Sequence, residues 1–366
     1  MPVRAIAKAL RAQPTIGPVA LPDFSGWDEL AESHARFPMQ SPLWMQACAE
    51  AFGEPLRTVV CGEQAHPVAV APLVVRRRLE TLGVMQLGEP TDMLAASPAA
   101  MEELVAALLA DGRALRLDRL PADSEALAAF RRVPRTRAVV RSEPVAGHPA
   151  IALSESWQEP GGGLSSRRRS DLRRARRRAE ALGEVETELL SPGEAEVEEL
   201  IEAAASIEAR SWKGRGGSAI AANPHLLRFF LIYGTAAARR GLLRVQFLQI
   251  AGRRVAMQVN VEWKRCAWTL KIGYDEEFRD ASPGQLLLAE SVADAARRGL
   301  ESYELLGRRE TWTDVWSRDI RECVRLLVYP VRPTAVALLA RDTLRGALDE
   351  RRARAAERSQ EPASSD

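Results

Sequence analysis

The sequence predicts an α/β protein with mixed sheets, organised as two domains in tandem. Three observations predict it. The chain has 366 residues and is 46% apolar, long for one compact core and ample for two. Helix-period stretches alternate with β-branched runs that come in antiparallel pairs rather than strict βαβ order. A Ser/Pro/Gly-rich passage at 154–166, ending in Gly161-Gly162-Gly163, reads as flexible, unable to bury apolar surface, and divides the chain. The expected organisation is a flexible arm at 1–25, a first domain at 26–155, a linker at 156–166, a second domain at 167–332, and a C-terminal helix fading into a disordered tail at 333–366.

In the first domain, Leu43 to Phe52 reads as a helix stopped by Gly53. Leu56 to Cys61 and Val68 to Val75 read as strands joined by a turn around Gly62 to Pro67. A helix near Met101 to Ala110 closes at Asp111-Gly112. Leu115 to Leu120 is a further strand, and Ser124 to Arg132 a further helix.

The second domain carries clearer punctuation. Ser191-Pro192-Gly193-Glu194 has the form of a capping box with Pro at the first helical position. The helix it opens sets Val197, Leu200, Ile201 and Ala204 on one face. Asn223-Pro224 opens another helix, which Gly241 closes. Leu243 to Ile250, Arg254 to Trp263 and Ala267 to Tyr274 read as three consecutive antiparallel strands. A helix from about Gly284 to Arg298 follows, stopped by Gly299. Ser302 to Leu306 and Val324 to Tyr329 are expected to complete that sheet.

Fifty-one basic and 49 acidic residues leave a net charge of +2, so the whole chain does not have the field of a DNA-binding protein. Cys48, Cys61, Cys266 and Cys323 show no C-x-x-C pair, and the four histidines show no ligand spacing. No metal site and no disulfide framework is expected. Arg4, Lys8 and Arg11 are followed by no apolar stretch, so the start does not read as a signal peptide. No window approaches the ~18 apolar residues of a membrane span. The expected location is the cytoplasm.

Ser282-Pro283-Gly284-Gln285-Leu286 is the most informative motif. It follows a strand and a polar loop and opens a helix. Such a start offers unpaired N–H groups and the positive end of a helix dipole, where a phosphate or pyrophosphate binds without a dedicated basic side chain. Gly284, lacking a Cβ, lets a ligand approach the backbone, and Gln285 and Leu286 are the expected N–H donors. A second motif is the arginine run around Ser165 to Arg178. Leu172, Ala175, Ala179 and Leu182 form a narrow apolar stripe, and Arg173, Arg174 and Arg177 lie on the remaining faces. Like charges at i,i+4 repel by a few tenths of a kcal/mol per pair. These arginines are either solvated or form an electropositive rim for an anionic partner.

Three stretches resemble one known family: Ser165-Ser166-Arg167-Arg168-Arg169-Ser170-Asp171-Leu172-Arg173-Arg174-Ala175-Arg176-Arg177, Glu208-Ala209-Arg210-Ser211-Trp212-Lys213-Gly214-Arg215-Gly216-Gly217, and Leu270-Lys271-Ile272-Gly273-Tyr274-Asp275 continuing into Ser282-Pro283-Gly284-Gln285-Leu286-Leu287. Over about residues 160–330, their order and separation resemble the BioF2-like or CelD-like (cellulose-biosynthesis) acetyltransferases. These are GNAT-type enzymes similar in architecture to the FemAB aminoacyl transferases. Residues up to about 150 match more weakly, through Gln40-Ser41-Pro42-Leu43-Trp44 and Ala71-Pro72-Leu73.

The resemblance implies two GNAT-like domains, the first degenerate, with acetyl-CoA or another acyl-CoA as co-substrate. The coenzyme's pyrophosphate would lie on Ser282 to Leu286. Glu208, Tyr274 and Asp275 become the candidates for proton transfer near the thioester. Trp212 and Lys213 would line the acceptor side, with Arg173, Arg174, Arg177 and Trp312. Family members often carry a lysine where Thr313 stands, and Arg308 or Arg309 would have to compensate.

The implied function is acyl transfer to a sugar, sugar nucleotide or amine, a small and anionic acceptor, in bacterial surface-polysaccharide biosynthesis. One alternative is a degenerate, non-enzymatic assembly component, which Thr313 motivates. Another is aminoacyl transfer from charged tRNA, disfavoured by the lack of a long coiled-coil insertion.

Overall fold

The computed structural model describes residues 25–76, 79–83, 87–211 and 220–360. The expected arm, apart from Ser25, and the last residues of the expected tail lie outside them. Strands β1 (Leu56–Glu63), β2 (His66–Val75), β3 (Leu79–Leu82), β4 (Leu94–Ala95), β5 (Ala114–Pro121) and β6 (Ala138–Ala152) come from the first half. Strands β7 (Val185–Leu190), β8 (Leu243–Ile250), β9 (Arg253–Trp263), β10 (Cys266–Tyr274), β11 (Ser302–Glu304) and β12 (Ile320–Pro330) follow. All belong to one mixed sheet, in the order β1-β2-β3-β5-β12-β6-β11-β10-β9-β8-β7, with β4 beside β2. The fold class is therefore mixed α/β, as the sequence predicts.

The helices are α1 (Ser25–His34), α2 (Pro42–Phe52), α3 (Pro98–Ala110), α4 (Glu125–Arg131), α5 (Ser166–Glu180), α6 (Val197–Ala209), α7 (Pro224–Arg239), α8 (Pro283–Arg297) and α9 (Pro333–Gln360). Their starts follow the chemistry of their caps. Ser41 Oγ accepts from the Trp44 N–H at 3.3 Å, and Asn223 Oδ1 accepts from the His225 and Leu226 N–H groups at 3.0 and 3.3 Å. Each of these caps is followed by Pro, whose missing N–H costs nothing in the first turn.

Four local expectations are corrected. The box before α6 is built one step later: Glu196 Oε2 accepts from the Gly193 N–H at 2.8 Å, so Ser191 is not the cap. Leu182 lies past the end of α5 and is 55% exposed, while Ala175 and Ala179 are buried as expected. Helix α9 continues to Gln360, and Tyr329 Oη donates to Asp342 Oδ2 at 2.7 Å to dock it. The glycine-rich passage does bury apolar surface. Trp157 and Leu164 are buried, Trp157 stacks on Trp316 at 6.2 Å, and a Cβ on Gly163 would lie 2.2 Å from the Trp157 ring. Glycine is needed there for close approach rather than for freedom.

The largest departure is β12. It does not complete the sheet of the second half but inserts between β5 and β6, antiparallel to both. Leu326 and Val328 are fully buried there, in a core with Leu115, Leu117 and Leu120. Strand β6 continues past Gly147, whose Cβ would meet the Arg321 carbonyl at 2.2 Å, to pair with β11. A further core joins the halves directly: Trp44 of α2 packs edge-on against Phe229 and Tyr233 of α7, ring centres 4.9 and 4.8 Å apart. Edge-on aromatic pairs contribute about 1 kcal/mol each beyond their buried area.

Candidate active site

Strands β10 and β11 pair in parallel only from Cys266–Ser302 to Trp268–Glu304. Beyond Trp268, β10 keeps its antiparallel partner β9 and, among the described residues, no strand on the other side. A bulge between Thr269 and Lys271 shifts the register against β9, and bulges re-aim the side chains around them. The chain leaving β11 turns away through Leu306 and Gly307, at φ +51° and +61°. The two strands thus diverge, and a cavity of about 770 Å³ opens between them.

Helix α8 begins at the mouth of this cavity. Its cap, Ser282, is held in the left-handed region at φ +51°, and Ser282, Gly284 and Gln285 all line the cavity. A Cβ on Gly284 would touch the Tyr274 ring at 3.4 Å, an ordinary contact. The expected donors are partly corrected. The Gln285 and Leu286 N–H groups donate to the Ser282 carbonyl at 3.0 and 3.2 Å, and Gln285 Oε1 accepts from Trp316 Nε1 at 2.6 Å. What faces the cavity is the bare backbone of Gly284 at the positive end of a 15-residue helix.

Non-glycine residues with positive φ are Arg119, Ala251, Lys264, Ser282 and Leu306 among the described residues. Ala251 and Lys264 sit in tight hairpin turns. The other three border this cavity or the smaller one beside it, and such strain persists where the surroundings over-determine it.

The candidate proton-transfer groups separate. Tyr274 lines the cavity. Asp275 does not: buried at the start of the next turn, it accepts from Arg210 Nε at 2.6 Å and Arg253 at 2.7 Å. Burial pushes its carboxyl up, but the bonds from Arg210, the Glu277 N–H and Arg253 outweigh this and hold it below the usual carboxylate range. Glu208 is fully buried behind the cavity wall, where it accepts from the Ile220 N–H at 2.7 Å and Lys271 Nζ at 3.2 Å. Lys271 does line the cavity.

Trp312 lines the cavity, its Nε1 donating to Glu310 Oε2 at 2.7 Å. Thr313 is buried: its Oγ1 donates to the Glu310 carbonyl at 2.8 Å and accepts from the Glu310 N–H at 3.0 Å. It closes the loop, so its side chain has no room to stand in for a ligand-facing lysine. Arg308 lines the cavity, whereas Arg309 is taken up by Asp314 at 2.6 Å.

The arginines of α5 stay outside. Arg173 donates to Ser170 Oγ at 2.9 Å, Arg174 pairs with Asp171, and both are exposed, as is Arg177. Their helix packs Ala175 and Ala179 toward Leu286 and Leu287 of α8. Trp212 and Lys213 lie outside the described residues.

Sequence reasoning gave no role to Glu89. It comes from the first half, lines the cavity, and has a buried Oε2 without a hydrogen-bond donor among the described residues. Burial pushes its carboxyl up to about 7, against the pull of Arg119 and Lys271. The signal available was a lone acid between Gly88 and Pro90. Lys271 was legible as a cation in an otherwise apolar strand.

Residues 166–313 match the acetyltransferase (GNAT) domain family. The cavity's strand, helix and loop all fall within this matched segment, while Trp44, Leu87 and Glu89 come from outside it. No curated protein matches the chain.

Three solved structures are similar in fold. A conserved protein of unknown function from Bacteroides thetaiotaomicron has TM-score 0.55 at 10% identity, over 82% of this chain and 95% of its own. FemX has 0.54 at 14%, over 83% and 95%. The C-terminal domain of a candidate lysylphosphatidylglycerol synthetase from Agrobacterium fabrum has 0.52 at 12%, over 82% and 91%. Among the described residues, no helix is long and apolar enough to cross a membrane, and no group of His, Cys, Asp or Glu side chains is gathered as metal ligands would be.

Proposed function

We propose that the chain is an acyl-CoA-dependent acyltransferase, acting directly on an amine or hydroxyl of a sugar or sugar-nucleotide acceptor, as in surface-polysaccharide biosynthesis. The observation that carries this reading is the divergence of β10 from β11, with the start of α8 at its open end. The residues fit an acyl-CoA: the cleft takes an extended chain, and Gly284 admits its pyrophosphate to the helix start. The thioester supplies the activated acyl carbon.

The chain's own residues handle the protons. Two carboxylates line the cavity, Glu89 and Glu310; Glu310 already accepts from Trp312 Nε1, so Glu89 takes the acceptor's proton in place of the buried Glu208 and Asp275. The nucleophile's bond to the acyl carbon forms, the carbon–sulfur bond breaks, and the Tyr274 hydroxyl returns a proton to the departing thiolate. Solvent re-equilibrates Glu89 and Tyr274. Lys271, anchored by Glu208, adds positive charge to the wall.

Thiol release from acetyl-CoA in the presence of amino sugars tests the reading. Turnover that falls about 100-fold in Glu89→Gln supports it. Turnover untouched by that change removes Glu89 from the mechanism.

A second reading, aminoacyl transfer from charged tRNA, draws on the exposed arginines of α5 beside α8. Salt-sensitive tRNA binding lost in Arg173→Ala/Arg177→Ala would favour it.

A further inference from the structure

A second cavity of about 310 Å³ adjoins the first and shares Trp44, Leu87, Glu89 and Arg308 with it. We propose that this annex is the acceptor's subsite and takes an anionic group, phosphate or carboxylate, with the nucleophile left beside Glu89. The proposal deepens the acyltransferase reading and rests on it.

The charges of the annex decide what it can hold. Arg116 pairs with Asp118 at 2.7 Å, and Arg325 pairs with Asp118 and, at 2.7 Å, with Glu143. Those carboxylates are matched. Arg119 gives its terminal nitrogens to the Gly88 carbonyl at 2.7 Å and the Gly307 carbonyl at 2.6 Å. It thereby clips the loop bearing Glu89 to the loop bearing Arg308. Arg308 has no hydrogen-bond or ion-pair partner among the described residues, yet it lines both cavities. One uncommitted guanidinium and one buried carboxylate oxygen without a donor, both among the described residues, therefore line the same two cavities. A ligand that answers both has an anion for the guanidinium fork and an N–H or O–H for Glu89. That is the description of an anionic acceptor with its nucleophile at the reacting end.

The two groups come from different halves, and the clip explains how they keep their spacing. Arg119 is held at φ +52°, a conformation costly for any residue with a Cβ, and its two carbonyl bonds reach one loop in each half.

Calorimetric titration of the full chain, saturated with acetyl-CoA at pH 8, with inorganic pyrophosphate and separately with malonate tests this. Saturation keeps the probes off the start of α8, and the two probes separate phosphate from carboxylate recognition. At least one anion binds the wild type. Arg308→Ala, an exposed change that leaves the fold intact, weakens it about tenfold, and Glu89→Gln, which removes a like charge, strengthens it about threefold. Binding by neither anion, or equal binding by Arg308→Ala, overturns the proposal. If the wild type binds no acetyl-CoA, the acyltransferase reading fails by itself. The same anion titrations on Gly284→Asp then score the annex alone, since that change closes the helix start.

Discussion

Lys271 Nζ lies 3.2 Å from Glu208 Oε1, joining the cavity-facing strand to a carboxylate that has no exposed surface. The pair explains why a lysine survives in the middle of an apolar strand. It also fixes Glu208 as the group that positions Lys271. Gly273 makes the approach feasible: a Cβ there would press on Glu208 at 3.3 Å.

Removing the cation should expose the cost of that burial. Lys271→Met deprives a fully buried carboxylate of a cationic partner and destabilises the fold by about 3 kcal/mol. Glu208→Gln in the same chain should recover part of the loss, because a neutral amide no longer needs the charge. Denaturant midpoints of the two variants and the double variant check this; strictly additive losses would mean the two residues do not interact.

Asp275 predicts a pH dependence with a definite sign. Its carboxyl titrates below the ordinary range in the folded protein. Such a group contributes stability that is full above the unfolded value, about 3.9, and disappears as pH falls through the folded value. Asp275→Asn should therefore cost about 2 kcal/mol at pH 7 and progressively less below pH 4. Stability curves of both proteins from pH 7 to pH 2 provide the comparison. A gap that stays constant over that range contradicts the ion-pair assignment to Arg210 and Arg253.

Thr313 is a structural residue on this account. Thr313→Ala should cost about 1 kcal/mol through the lost bonds to the Glu310 backbone. Thr313→Lys places an ammonium where the native side chain is buried, so it should destabilise by more and give no gain in turnover. Thermal unfolding and thiol release are the measurements. A stable Thr313→Lys with higher turnover would show that the position does face the ligand.

Much of the segment that matches the GNAT model was legible because its signals are local. The hairpin β8–β9–β10, the Pro-opened α7 and α8, and the Ser282-Pro283-Gly284 start follow from caps, turns and alternation within short windows. What was not legible depends on pairings far apart in sequence. Strand β12 carries the same alternation whether it closes the second half's sheet or inserts beside β5, so periodicity does not choose its place. Glu89 and Arg308 line the same cavities, and the loops that bear them are tied by Arg119, which reaches a carbonyl 188 residues away. The glycines at 161–163 read as a tether because a glycine needed for a tryptophan ring and a glycine needed for freedom look alike in sequence. The arginine helix, by contrast, was read from composition, and its side chains turn out to stand beside the cavity rather than within it.

The central claim is that the bare backbone of Gly284 at the start of α8 receives the phosphates of an acyl-CoA. Calorimetric titration of the wild type and Gly284→Asp with acetyl-CoA tests it most directly. A Cβ at that position meets only the Tyr274 ring at contact distance, so the variant should fold as the wild type does, and its circular dichroism and unfolding midpoint verify this. The account predicts micromolar binding by the wild type and a loss of at least 100-fold in the variant, from bulk and like-charge repulsion. Equal acetyl-CoA affinity in a folded Gly284→Asp protein would contradict it.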